Sequence, residues 1–107
     1  AVVRVELERR GCEVDYVRTR EGYEVDFFAR NPEGGVTLIQ VCTDVSDAET
    51  YAREVRALTA AAMEYPGAIP LLLTFDTLPP RPPLTAPLRW QPAIAWLLGD
   101  ELPRKPR

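Results

Sequence analysis

Histidine is absent from the 107-residue chain, lysine occurs once, and only two cysteines are present. Without imidazole there is no Ser-His-Asp or Cys-His pair to activate a nucleophile, so serine-hydrolase and papain-like chemistries are excluded together. Cys12 and Cys42 lie in different apolar segments without CxxC spacing, and with no histidine to complete a set they do not make a structural zinc site. Long hydrophobic runs are also missing: the longest apolar stretch, Ile69 to Phe75, falls far short of the roughly 20 residues of a membrane helix, and no signal-peptide pattern opens the chain. The expectation is a cytoplasmic protein with reduced thiols and no membrane partner. Nor is there an excess of positive charge. The net charge is -3, and neither half of the chain is basic, the wrong sign for a domain whose main task is gripping phosphate backbones. A Gly-rich phosphate loop followed by Lys and Ser or Thr is lacking as well, so ATP chemistry is not expected of these residues.

What is present is an ordinary globular composition, 46% hydrophobic and 27% charged, in a length that suits one domain able to fold without staples. The expected domain spans 1–100, with a disordered tail over 101–107. The chain opens on Ala1-Val2-Val3 and reads as a piece of a longer protein. Residues 1–10 read as a helix closed by Gly11 at its C′ position. The β-branched and aromatic runs 12–19 and 23–30, separated by Arg20-Glu21-Gly22, form a hairpin. After the turn cluster Asn31 to Gly35, residues 36–43 read as a central strand, apolar on both faces. Ser46-Asp47-Ala48-Glu49 has the form of a capping box, and Ala48, Tyr51, Val55, Leu58, Ala62 and Tyr65 recur at helical steps, predicting a helix over 47–64. Pro66-Gly67 stops it, and Ile69 to Phe75 reads as a buried strand with Pro70 near its start. A stiff Pro-rich connection, Pro79 to Pro87, leads through Leu88-Arg89-Trp90 to a short apolar helix or turn from Pro92 to Leu98. The predicted core is therefore αβββαβ, an α/β domain with a mixed sheet flanked by helices.

Three polar residues stand among apolar neighbours: Glu6 on the first helix, Asp26 in the second strand and Gln40 in the third. A buried carboxylate must be paired, neutralised or bound to a cation. Asp26 has a plain alternative, a solvated edge or an ion pair with Arg18 or Arg30; Glu6 can pair with Arg10 four residues on; Gln40 can satisfy its amide on backbone, and Cys42 can serve as a small buried hydrophobe.

The segments Val5 to Gly11, Tyr16 to Thr19, Gly22-Tyr23-Glu24-Val25-Asp26-Phe27, Leu38-Ile39-Gln40-Val41 and Ser46 to Leu58 resemble the C-terminal domain of a microbial AAA+ ATPase family, a domain of unknown function. That domain is similar to the PD-(D/E)XK restriction-endonuclease-like superfamily, whose core has the same αβββαβ order. The resemblance implies Glu6 and Asp26 at the first two metal-binding positions, Gln40 where E-x-K has Glu and Cys42 where it has Lys, so the motif reads Q-x-C. Active members hold Mg²⁺ or Mn²⁺ with carboxylates, because hard cations want charged oxygens; here Gln40 offers a neutral carbonyl and Cys42 no cation. The resemblance thus implies a degenerate, inactive nuclease-fold accessory module beside an N-terminal AAA+ ATPase domain, with Glu6, Asp26 and Gln40 as a weak or vestigial metal set. Two alternatives stand beside it. One is a Mg/Mn-dependent nuclease acting on nucleic-acid phosphodiesters, with Arg18, Arg30 or Arg53 supplying positive charge. The other is a dimerisation or target-binding module, a possible homo-oligomer with Tyr51, Trp90 and Trp96 as aromatic anchors, although core packing is the alternative for all three and, for Tyr51 on the apolar helix stripe, the preferred one.

Overall fold

The computed structural model describes residues 2–99. The predicted tail, 101–107, lies outside the described residues. Helix α1 (Val2–Arg9) leads into strands β1 (Glu13–Arg18), β2 (Glu24–Arg30) and β3 (Val36–Cys42), then helix α2 (Ala48–Glu64), strands β4 (Ile69–Thr74) and β5 (Arg89–Pro92), and helix α3 (Ala93–Gly99). The sheet is five-stranded in the order β1-β2-β3-β4-β5. β1, β2 and β3 run antiparallel in turn, while β3, β4 and β5 are parallel. This is an α/β domain with a mixed sheet and helices on both faces.

Local chemistry explains the boundaries. Gly11, at φ 82°, ends α1: its N–H donates to Glu8 O and the Cys12 N–H to Leu7 O, each at 3.0 Å. These paired bonds satisfy the last carbonyls of the helix and require the left-handed conformation that glycine adopts cheaply. The β1–β2 connection closes when Thr19 N–H donates to Tyr23 O at 2.8 Å and Gly22 N–H to Thr19 O at 2.9 Å, a three-residue loop with glycine at its left-handed position. The start of α2 differs from the expected capping box. Asp47, not Ser46, is the N-cap, its carboxylate accepting from the N–H groups of Glu49 and Thr50. Ser46 instead donates both its N–H and its hydroxyl to Asp44 Oδ1. The shift of one residue follows from chemistry: a carboxylate is a better acceptor than a hydroxyl for donors at the positive end of a helix.

β3 is central, as its apolar run predicts, and alternate residues feed two cores. Leu38 and Cys42 pack with Leu72, Tyr51 and Leu58 beneath α2. Ile39 packs with Leu71, Leu73, Val3, Leu7 and Trp96 beneath α1 and α3. The fifth strand is not anticipated by the sequence pattern. Residues 89–92 hold an arginine, a tryptophan, a glutamine and a proline, all half-buried, and pair with β4 from Leu71↔Arg89 to Thr74↔Pro92. Trp90 Nε1 donates to Thr74 Oγ1 at 2.9 Å. Tyr51 and Trp96 are 4% and 0% exposed: Tyr51 is a core residue, as its place on the apolar helix stripe predicts, and Trp96 is a core residue rather than an interface anchor.

Candidate functional site

β2 carries one residue too many for β1. Asp15 pairs with Phe28 and Val17 with Val25, so Asp26 and Phe27 together face Tyr16 in a β-bulge. The bulge reverses the alternation of the strand: Val25 packs beneath α2, whereas Phe27 packs on the opposite core. On the other side of β2, pairing with β3 runs from Arg30↔Val36 to Phe27↔Ile39 and stops there. β3 continues alongside β4 to Cys42↔Thr74. The sheet therefore forks at Asp26, close to the carboxyl end of β3.

Side chains close the fork. Gln40 is 2% exposed; its Oε1 accepts from Asp26 N–H at 2.9 Å, and its Nε2 donates to Glu24 O at 3.1 Å. Asp26 answers in the other direction, Oδ2 accepting from Val41 N–H at 2.9 Å. Each side chain replaces a ladder bond that the diverging backbones no longer make. Asp26 is exposed, in keeping with the solvated alternative, and among the described residues it makes no ion pair, so Arg18 and Arg30 do not hold it. Cys42 is 1% exposed and sits in the core beneath α2. Burial pushes its thiol up, opposed by an Asp44 backbone bond and reinforced by the Glu54 and Asp44 charges; this is the behaviour of a small hydrophobe rather than of a reactive thiolate.

Glu6 belongs to a different neighbourhood. Its carboxylate accepts from Arg9 Nε at 2.9 Å and Nη2 at 2.7 Å, and from Arg10 Nε at 2.6 Å. Arg10 carries on to the third helix: Nη2 donates to Trp96 O at 2.7 Å, and the guanidinium lies 4.4 Å from the centre of the Trp96 ring. The structure thus joins Asp26, Gln40 and the Val41 backbone into one cluster and assigns Glu6 to the α1–α3 contact.

One residue of the cluster has no place in the Q-x-C motif. Glu54 of α2 is half-buried, and its carboxyl is pushed up by desolvation and by the Asp26 charge, with Arg53 opposing. Its spacing is the available signal: it lies three residues after Tyr51 and four before Leu58, on the stripe that faces the sheet. Asp26 is likewise raised, by desolvation first and by Glu24, against the lowering bond from Val41. Among the described residues no three Cys, Asp or Glu side chains form a group able to hold a metal ion.

These shifts have opposite consequences for stability. A carboxyl raised in the folded state stabilises the fold while protonated, and that contribution is lost as pH rises through its folded value; Asp26 and Glu54 behave so. Glu6 is lowered to about 2, by its bonds to Arg9 and then Arg10, so its contribution is present above the ordinary carboxylate range and lost as pH falls toward that value. Urea midpoints measured between about pH 3 and pH 7 should therefore separate two variants. Asp26→Asn gains on the wild type as pH rises. Glu6→Gln is the weaker protein at neutral pH, and its deficit closes in acid. A constant offset across the range for both would contradict this assignment.

The fold and the cluster together define a small α/β domain with a forked mixed sheet whose fork is bridged by polar side chains. No protein family, curated protein or solved structure matches the chain.

Proposed function

We propose that the chain is a catalytically silent, restriction-endonuclease-like module that serves an AAA+ ATPase as an accessory or interaction domain. The observation that carries this reading is the state of Gln40, whose amide oxygen and nitrogen both bond to the main chain of β2. At the position where a nuclease of this type has a metal-binding glutamate, this side chain is tied to the backbone through both its oxygen and its nitrogen. Three further facts agree with it. The Cys42 thiol is enclosed beneath α2, Glu6 is bound by two arginines, and Asp26 accepts a backbone N–H. A hard divalent cation needs several charged oxygens free at once, and each of these groups already has another partner or is enclosed in the core.

The test is calorimetric titration of the chain with Mn²⁺, paired with a Mg²⁺/Mn²⁺ cleavage assay on single- and double-stranded DNA and RNA. The expected result is no saturable heat and no cleavage. Saturable binding together with cleavage, both abolished by Asp26→Ala, would establish the alternative, a metal-dependent nuclease with Asp26 among its ligands.

A further inference from the structure

The two edges of the sheet are not alike. β5 is a four-residue strand ending in Pro92, and proline withholds a donor from any added strand. β1 is six residues long, contains neither proline nor glycine, and pairs only with β2. Its bulge partner is on β2, so β1 itself is regular. Because Thr19 N–H donates to Tyr23 O across the hairpin, ladder alternation turns the main-chain groups of Arg18, Tyr16 and Val14 away from β2. At the middle of this open row stands Tyr16, 66% exposed. An edge strand with an unpaired ladder and an exposed aromatic is a template for another strand.

We infer that β1 is the interface of a homodimer, pairing antiparallel with β1 of a second copy across a two-fold axis at Tyr16 to make one continuous sheet. This goes beyond the accessory reading and does not depend on it. The charges of the strand leave it compatible with a second copy of itself in one register. A two-fold axis perpendicular to the sheet joins like faces, so residues set opposite each other must be both odd or both even in number. Two such registers pair five residues of Glu13–Arg18. The first, over 13–17, sets Asp15 against Asp15, a like-charge pair directly opposite in a sheet, which is destabilising. The second, over 14–18, sets Tyr16 against Tyr16, Val14 against Arg18 and Asp15 against Val17, with no like charges opposed. It also brings together the residues whose main-chain groups face outward, so each pair exchanges hydrogen bonds. Charged side chains commonly protect an edge from promiscuous pairing; the placement of Asp15 and Arg18 leaves this one register open.

Sedimentation equilibrium of the chain is expected to give twice the chain mass, falling to the single mass in Tyr16→Pro, which removes an outward donor. The register is read by disulfide trapping in a Cys12→Ser/Cys42→Ser background. Opposed hydrogen-bonded residues lie about 5.5 Å apart at Cα, within disulfide reach, so Tyr16→Cys should cross-link to itself and Asp15→Cys should not. Circular dichroism identifies any variant that has failed to fold. A monomer at every concentration, or cross-linking of Asp15→Cys in preference to Tyr16→Cys, would overturn the proposal.

Discussion

Gln40→Leu is expected to destabilise the domain by about 3 kcal/mol, a large share of the roughly 5–15 kcal/mol that holds a domain of this size together. Leucine fills a similar volume beneath α2, so the cost is not a cavity. It comes from the two main-chain groups left behind, the Asp26 N–H and the Glu24 carbonyl, which Gln40 now satisfies at 2.9 and 3.1 Å. Each group left unpaired against the apolar leucine side chain costs on the order of 1–3 kcal/mol, and the apolar gain of leucine offsets part of the sum. Gln40→Glu gives a different result. Its oxygen can still accept from Asp26, but an ionised carboxylate has no donor for the Glu24 carbonyl, and at 2% exposure its charge is poorly solvated. Its carboxyl must therefore be raised in the fold, and by the same linkage as for Asp26 the variant holds its stability in acid and loses it as pH rises. Urea denaturation of both variants across pH separates the cases: Gln40→Leu shows an offset that is flat with pH, Gln40→Glu one that grows. A Gln40→Leu midpoint within error of the wild type would mean that the bridge across the fork contributes no net stability.

Trp96→Ala is expected to cost about 3–5 kcal/mol, with a fall in Tm on the order of 15–30 °C for a domain of this length. Trp96 is fully buried and is the largest such side chain in the fold. Removing it empties the core that α1 and α3 share with Ile39, Leu71 and Leu73 and takes the ring away from the Arg10 guanidinium. The indole N–H and Arg10 Nη1 are buried without hydrogen-bond partners, so the stabilisation lies in packing, the cation–π contact and the Arg10 bond to the Trp96 carbonyl. Two companion variants separate these contributions. Trp96→Phe keeps most of the ring and discards the unpaired N–H, and it should cost less than half as much as alanine. Arg10→Met keeps an apolar stem over the ring but loses the charge, the bond to the Trp96 carbonyl and the bond to Glu6, for a combined loss of about 1–2 kcal/mol. Equal losses in Trp96→Phe and Trp96→Ala would show that the indole nitrogen, not the packing, carries the effect.

Most of the fold was legible in the sequence because its signals are local. Gly11 needs only its own φ to stop a helix, Arg20-Glu21-Gly22 turns a hairpin by itself, and the steps from Tyr51 to Leu58 to Tyr65 mark a helix without reference to anything distant. β5 was not legible, because Arg89-Trp90-Gln91-Pro92 has no alternation of its own; it is a strand only because the edge of β4 offers Leu71 to Thr74 as partners. The same distinction divides the site. That Glu6, Asp26 and Gln40 were unusual among their neighbours could be read residue by residue, and the pairing of Glu6 with Arg10 follows from a four-residue step on one helix. The second arginine on Glu6, the reach of Arg10 to Trp96 across 86 positions, the bulge that turns Phe27 to the opposite face, and the closure of the fork by Gln40 were decided by tertiary structure alone. Each depends on where the backbone of a distant segment ends its pairing. A sequence fixes which side chains can donate and accept, but the polar groups left over when two strands part exist only once the sheet is built.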